Sequence, residues 1–131
     1  MKNPIECRRF VRIKKSFHLK HGKLQSGALV GEEQEGFSKD FSAGGVSFAS
    51  SVPYNIDDVI QLEIDLPGWK KFESESQSLT VPGKSDTIMI LGKLTRVIKM
   101  RTDLYDIGLS FFDLNDKNRG ALIKYVNEQL K

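Results

Sequence analysis

The octapeptide VIQLEIDL at positions 59–66 decides the fold class, because it has the clearest hydrophobic pattern in the chain. From Ile60 to Leu66, apolar and polar side chains alternate strictly, as they do in a β-strand with one buried face. Residues 104–112 show the same alternation, and residues 87–99 are long enough for another strand. The alternating segments predict strands whose core-facing residues are Ile60, Leu62, Ile64, Leu66, Tyr105, Ile107, Leu109 and Phe111.

Weaker strand patterns fill the first half of the chain. They combine short apolar alternation with glycine and polar breaks, which is typical of strands joined by tight turns. The expected strands cover residues 11–19, 24–30, 35–39 and 46–49, with Gly22 ending the first and a polar turn at 31–34.

The hydrophobic period changes from two to about four residues near the C-terminus. The apolar residues there are spaced as on one face of a helix, and the Asn-Asp pair at 115–116 can cap its start. Such an amphipathic helix, over about 115–130, needs a sheet to lie on. The predicted fold is therefore all-β: a small six-stranded antiparallel β-barrel with a C-terminal α-helix covering its open end.

Length and composition indicate a small globular protein. It has 131 residues, of which 39% are hydrophobic and 28% charged, which suits one domain. It contains no apolar run of the length that a membrane-spanning helix needs. No apolar stretch follows the basic N-terminal residues, so a secretory signal is not expected. We therefore expect a soluble, cytoplasmic protein without membrane insertion.

Residues suited to catalysis are scarce in this sequence. Cys7 is the only cysteine, so neither an internal disulfide nor a cysteine-cluster metal site can form. His18 and His21 are the only histidines, and neither lies in a recognisable catalytic motif. The Asp and Glu residues are scattered along the chain, and their spacing does not establish a catalytic pair of carboxylates. The sequence predicts a protein that is not an enzyme and has no metal or cofactor.

Positive charge is concentrated at the N-terminus. Residues 1–24 contain eight cations and one anion, a net charge of +7, whereas the other 107 residues have a net charge of −4. A basic leader on an acidic body indicates an anionic partner, either nucleic acid, a phosphorylated small molecule or a membrane surface. A solvated basic tail without a partner is also compatible with this charge pattern.

An arginine motif lies within this basic leader. Arg8 and Arg12 form an RxxxR pattern at the start of the first expected strand, and Arg9 follows Arg8 within it. The guanidinium group is a planar fork of five donors, which can bind a phosphate or the O6/N7 edge of guanine with two hydrogen bonds. The motif therefore favours a ligand that carries phosphate and guanine.

A second motif, DxSxxG, lies between two strand-like segments and comprises Asp40, Ser42 and Gly45, with a further glycine, Gly44, just before Gly45. A carboxylate accepts hydrogen bonds from the amine and ring N–H of guanine, and a serine hydroxyl can donate to phosphate. Asp40 and Ser42 are alternate residues, so they face the same side of an extended segment. The two glycines permit positive φ and close approach of a ligand to the backbone.

These two motifs, in this order and on a barrel followed by a helix, resemble the PilZ domain, a family that binds the bacterial second messenger cyclic di-GMP. The resemblance covers nearly the whole chain, including the strand-like segments at 91–96 and 106–111. It implies a PilZ-like split barrel over residues 13–131. It also implies a flexible arm, residues 1–12, that carries RxxxR and wraps over the ligand.

The resemblance assigns roles to the arginine motif. Arg8 and Arg12 correspond to the main clamps on phosphate and guanine, and Arg9 to an auxiliary contact. In the family, the residue before RxxxR influences whether one ligand or an intercalated pair is bound. That residue is Cys7, which is neither a long cation nor a bulky aliphatic side chain. The sequence therefore leaves the stoichiometry open.

The resemblance also assigns roles to the second motif. Asp40 and Ser42 correspond to residues that fix a guanine and a phosphate from the barrel side, and Gly45, next to Gly44, keeps the backbone clear of the ligand. An alternative is that Asp40 and Ser42 only stabilise a turn before the glycine pair.

The resemblance implies a receptor that passes a signal to another protein. We expect the ligand to order residues 1–12 against residues 40–45 and so change the surface seen by an unidentified downstream effector. Two alternatives are a PilZ-fold adaptor without nucleotide binding and a small barrel that binds nucleic acid through its leader. The intact motifs count against the adaptor. The leader contains only Phe10 and Phe17 as aromatic residues, which disfavours nucleic acid.

A polar segment of 19 residues, 68–86, separates two of the expected strands and is long for a hairpin connection. It is either a functional loop, such as a partner surface, or a mobile one. Trp69 and Phe72 at its start could stack on a ligand, but we favour packing against the barrel.

Overall fold

The computed structural model describes residues 10–75 and 79–131, and these residues form a closed barrel of six strands. The strands are β1 (His18–Gln25), β2 (Ala28–Phe41), β3 (Gly45–Ser50), β4 (Val59–Asp65), β5 (Thr87–Arg101) and β6 (Leu104–Phe111). They follow one another around the barrel in the order β1-β2-β3-β6-β5-β4, and all neighbours are antiparallel. The predicted six-stranded antiparallel barrel is therefore confirmed.

The barrel interior is filled by alternate residues of its strands, and β4 shows the pattern most clearly. Ile60, Leu62 and Ile64 are fully buried, as is Leu66 just after the strand. The burial of each such side chain contributes roughly 1.5–3 kcal/mol. The polar residues between them are partly or fully exposed, so the alternation predicted from the sequence is the alternation between core and surface.

One α-helix, α1 (Asp116–Gln129), follows the last strand. The Asn115 side chain caps it by accepting a hydrogen bond from the backbone N–H of Asn118 at 2.7 Å. Its buried face includes Leu122, Tyr125 and Val126, which belong to the same core as the barrel. Within the part of the chain that the structure describes, no helix is long and apolar enough to span a membrane.

The polar segment 68–86 begins with a 3-10 helix, Trp69–Glu75, that packs against α1. Trp69 is fully buried, and its ring centroid lies 5.8 Å from that of Tyr125 and 6.0 Å from that of Phe72. The predicted packing role of these aromatic residues is therefore confirmed. Further along, Thr80 forms an isolated antiparallel bridge with Ile88, so the described end of the segment runs beside β5.

The first strand begins later than predicted. Alternation placed it at 11–19, but β1 begins at His18; among the described residues before it, Ile13 forms an isolated bridge, and the Phe17 carbonyl accepts a hydrogen bond from the Ser38 N–H at 2.9 Å. A side chain supplies the other contacts there: the Ser38 hydroxyl accepts a hydrogen bond from the Phe17 N–H at 2.8 Å and donates one to the Lys15 carbonyl at 2.5 Å. Such a side-chain contact leaves no periodic signal in the sequence.

The turn between the first two strands also differs from the prediction. Gly22 lies inside β1, and the chain reverses at Ser26 and Gly27, whose φ angles of 54° and 81° suit a two-residue hairpin turn. Residues 31–34, predicted to be a turn, belong to β2. They lie where the β1–β2 register is irregular, so they form a bulge rather than a link between strands.

Candidate functional site

The N-terminal segment reaches the second motif through one antiparallel bridge. The Ile13 N–H donates to the Phe41 carbonyl at 2.8 Å, and the Phe41 N–H donates to the Ile13 carbonyl at 2.9 Å. Ile13 is buried, so the bridge is anchored in the core. Because Arg12 precedes Ile13 and Asp40 precedes Phe41, this pairing brings the two motifs to the same place.

An open pocket of about 270 Å³ lies where the motifs meet. It combines the guanidinium of Arg12 with the carboxylate of Asp40 and with the backbone of the turn between β2 and β3. The predicted site residues that line it are Arg12, Asp40, Ser42, Gly44 and Gly45. Arg8 and Arg9, which were also predicted, lie outside the described residues.

The pocket floor consists of small residues on two paired strands. Gly45 of β3 pairs with Ser110 of β6, and Ser47 of β3 pairs with Gly108 of β6. All four residues line the pocket. Because their neighbours Val46, Phe48, Ile107 and Leu109 are core residues, these four lie on the outer face of the barrel. The floor is therefore shallow and about two strands wide.

Asp40 is directed toward the pocket by a β-bulge. Ser38 pairs with Phe48 and Asp40 pairs with Ser47, so β2 advances two residues where β3 advances one. A bulge of this kind shifts the side-chain alternation, which places both Lys39 and Asp40 on the outside. One Asp40 oxygen accepts a hydrogen bond of 3.5 Å from the Ser47 hydroxyl. The carboxylate is thus held at the edge of the floor with remaining acceptor capacity.

Ser42 lies in the turn between β2 and β3 and is largely buried. Its hydroxyl accepts a hydrogen bond from the Gly44 N–H at 3.0 Å, and its hydroxyl hydrogen faces the Gly45 carbonyl at 3.5 Å. The turn-stabilising role considered for Ser42 is therefore present in the structure. The contact to the Gly45 carbonyl is at the limit of hydrogen-bond length, so this donor can be redirected to a ligand.

The two glycines at 44 and 45 lie in close contact with neighbouring residues. A side chain at Gly45 would place its Cβ 2.1 Å from the Leu109 carbonyl oxygen, and one at Gly44 would place it 2.7 Å from the Phe10 ring. Neither glycine has the positive φ that its residue type permits. Their conformations are ordinary; the backbone of β6 leaves no room for a side chain at Gly45, whereas at Gly44 the obstacle is the side chain of Phe10.

The Phe10 ring connects the N-terminal segment to α1. It packs over Gly44, and the Arg119 guanidinium of α1 lies 5.2 Å from its centroid. Arg119 also donates a hydrogen bond of 2.8 Å to the Ala43 carbonyl, in the turn that contains Ser42. One α1 side chain therefore contacts both the N-terminal segment and the motif turn.

The opposite wall of the pocket was not predicted from the sequence. It is formed by Thr95 and Arg96 of β5, beside Gly108 of β6. Leu94 pairs with Leu109 and Arg96 with Gly108, so β5 has a bulge at Thr95 that places both Thr95 and Arg96 outside. The position of a bulge depends on pairing across strands, so no local pattern could have identified Arg96.

Both histidines lie in the described barrel away from this pocket. His21 is buried and its Nδ1 is 2.7 Å from the Tyr54 hydroxyl; burial lowers the pKa of His21 to about 4. The ring nitrogens of His18 lie 2.9 Å from an Asp65 oxygen and 2.8 Å from a Glu35 oxygen, and these hydrogen bonds raise the pKa of His18. Within the described residues, no cluster of three or more His, Cys, Asp or Glu side chains could hold a metal ion.

Comparison with protein families gives one match that covers most of the chain. The PilZ domain model matches residues 7–128. None of the curated protein sequences matches this chain.

Solved structures with the same fold include three whose alignments cover 94% of this chain. The inhibitor of motility MotI/DgrA of Bacillus subtilis is 18% identical with a TM-score of 0.63, and 51% of that chain is covered. The complex of MrkH from K. pneumonia with c-di-GMP has the same identity and TM-score, with 52% of that chain covered. The PilZ domain of Escherichia coli YcgR with c-di-GMP is 13% identical, with a TM-score of 0.58 and 93% of that chain covered.

At these identities the similarity shows a shared fold. The chain spans about half the length of the first two of these proteins and nearly the full length of the YcgR domain.

Proposed function

The chain belongs to the PilZ domain family, and from that premise we propose that it binds cyclic di-GMP in the pocket between the N-terminal segment and the outer face of β3 and β6. The bridge between Ile13 and Phe41 carries the proposal, because it joins the RxxxR segment to the DxSxxG turn. The match to MrkH and YcgR structures that contain c-di-GMP supports the choice of ligand.

The chemistry of the pocket supports a phosphorylated guanine ligand. Arg12, together with Arg8 and Arg9 in the preceding arm, supplies donors for phosphate and for the O6/N7 edge of guanine. Asp40 accepts hydrogen bonds from the N1–H and amine of a guanine, and the Ser42 hydroxyl donates to a phosphate oxygen. Two of the pocket-lining residues are arginines and one is an aspartate, so the charge balance also favours an anion.

We further propose that the bound ligand orders residues 1–12 over Asp40–Gly45 and thereby signals to a downstream protein in the cytoplasm, without catalysis. The contacts of Arg119 with Phe10 and with the Ala43 carbonyl support this relay. A movement of the N-terminal segment changes the surroundings of Arg119, and so the surface of α1 that a partner can contact. The arm, residues 1–12, and the barrel, residues 13–131, are then the two functional parts of the chain.

Isothermal titration calorimetry with cyclic di-GMP tests the binding site. We expect Arg12→Ala and Asp40→Asn each to raise Kd by roughly 10- to 150-fold, because each removes a charge-assisted hydrogen bond. Arg8→Ala/Arg12→Ala should abolish measurable binding. Lys15→Ala is the matched control: Lys15 lies in the same segment, and its ammonium contacts Gln129 rather than the pocket. The stoichiometry of the titration gives the number of ligands per site.

The alternatives make different predictions in the same experiment. A PilZ-fold adaptor gives no heat with cyclic di-GMP. If Lys15→Ala loses as much affinity for cyclic di-GMP as Arg12→Ala does, the binding is non-specific charge attraction. A nucleic-acid-binding barrel binds RNA or DNA instead, with an affinity that falls steeply as salt increases.

A further inference from the structure

Arg96 lies on the wall of the pocket opposite Asp40. It pairs directly with Gly108 across the β5–β6 ladder, and the bulge at Thr95 turns its side chain outward. Thr95 stabilises the bulge by donating a hydrogen bond of 3.2 Å to the Gly108 carbonyl. Arg96 therefore faces the pocket because of the strand geometry and not because a flexible side chain happens to reach it.

Gly108 provides the surface on which this side chain lies. A Cβ at position 108 would be 3.2 Å from the Cβ of Arg96, 3.2 Å from its Cζ and 3.4 Å from its Nη2. Both ends of the Arg96 side chain therefore approach the same point, so the guanidinium is folded back across the backbone of Gly108. A side chain at position 108 would therefore require Arg96 to shift by a few tenths of an ångström.

Asp106 occupies one edge of the guanidinium. Its Oδ2 lies 3.4 Å from Nη2 of Arg96, and its Oδ1 accepts a hydrogen bond of 3.0 Å from Nζ of Lys39. Asp106 is only 14% exposed, whereas the Arg96 side chain is 45% exposed. The carboxylate thus compensates part of the guanidinium charge at its edge, which leaves the planar face as the surface available to a ligand.

We propose that Arg96 is a ligand-contacting residue that stacks its guanidinium plane on a purine base in the pocket, and that Gly108 and Asp106 position it for this role. The proposal rests on the function proposed above and adds a contact outside the RxxxR and DxSxxG motifs. A guanidinium stacks on a planar base, while a lysine ammonium in the same place supplies only a point charge. The base then lies on the small-residue floor between Arg96 and Asp40.

The choice between stacking and simple charge attraction is tested by titrating cyclic di-GMP into Arg96→Lys and Arg96→Ala. Stacking predicts that both substitutions raise Kd by about 5- to 150-fold, because both remove the plane. It also predicts that Arg96→Lys leaves the salt dependence of binding unchanged, because the positive charge is retained. Lys93→Ala is the matched control, since Lys93 is an exposed cation of β5 that contacts Asp57 and does not line the pocket.

Gly108→Ala tests the positioning. It should raise Kd in the presence of Arg96 and have no further effect in the Arg96→Ala background, because the two residues act through one contact. Equal melting temperatures of the variants separate this effect from unfolding.

Two outcomes overturn the inference without touching the proposed function. Unchanged affinity in Arg96→Lys, together with weakened binding in Arg96→Ala, would show that Arg96 contacts a phosphate of the ligand and does not stack on a base. Unchanged affinity in both variants would remove Arg96 from the site. No binding by the unmodified chain, in contrast, refutes the proposed function and the stacking role together.

Discussion

Gly45→Ala distinguishes a glycine needed by the fold from a glycine needed by the ligand. The added Cβ would lie 2.1 Å from the carbonyl oxygen of Leu109, 3.2 Å from its carbonyl carbon and 3.4 Å from the Cα of Ser110. These are backbone atoms of β6 directly across the ladder from β3, so they cannot rotate away. Because Cβ atoms essentially never approach within 3.0 Å, β3 and β6 must separate by about 1 Å.

The cost of that separation is large for a chain of this size. Overpacking against a rigid neighbour costs about 2–4 kcal/mol, which corresponds to a melting temperature lower by roughly 6–15 °C. Urea denaturation of Gly45→Ala should therefore show a lower midpoint with an unchanged slope. The reduction is expected without any ligand, because its cause is the contact with Leu109.

Gly44→Ala is the matched comparison, since the neighbouring atoms are those of a side chain. Its Cβ would lie 2.7 Å from the Phe10 ring, which can move away together with the N-terminal segment. We expect a loss of stability below about 1 kcal/mol but weaker binding of cyclic di-GMP. A Gly45→Ala protein as stable as the unmodified chain, or a Gly44→Ala protein destabilised to the same extent, would refute this reasoning.

Three further predictions concern stability. Gly120→Ala should raise the free energy of unfolding by about 1 kcal/mol in urea denaturation, because its Cβ would meet open space on a helix. Between pH 7 and pH 5, His21 should lower stability by about 2 kcal/mol, because its pKa is lowered to about 4 in the fold while the unfolded chain protonates near 6.5; a His21→Gln protein with the same pH dependence would contradict this. His18 affects stability in the opposite direction, because hydrogen bonds to Asp65 and Glu35 raise its pKa in the fold. Its protonated form therefore stabilises the fold below about pH 6.5, and this contribution disappears as pH rises through the folded pKa. His18→Gln should therefore cost more stability at pH 6 than at pH 8.

The parts of the fold that depend on local geometry were predictable from the sequence. The alternation of β4 and the helical spacing of α1 arise from local geometry, so they appear in the sequence itself. The start of β1 was wrong because Ser38, more than 20 residues away, holds the backbone at Lys15 and Phe17 with its hydroxyl. Such a contact exists only after the barrel has closed.

The candidate site was predictable for a different reason. Asp40 and Ser42 belong to a recognisable motif, so they could be named before their surroundings were known. Arg96 carries no motif of its own and reaches the pocket through a bulge that depends on the pairing of β5 with β6. The packing requirement of Gly45 likewise depends on Leu109 across the ladder. Contacts between strands determine both.

The burial of Trp69 gives the chain an internal optical reporter. It is the only tryptophan in the sequence, it is fully buried, and its ring contacts Tyr125 of α1 and Phe72 of the 3-10 helix. It does not line the pocket. Its fluorescence emission should therefore be blue-shifted in the native state and move to longer wavelength when α1 leaves the barrel. A change in emission on adding cyclic di-GMP would report that ligand binding alters the packing of α1, without an attached dye.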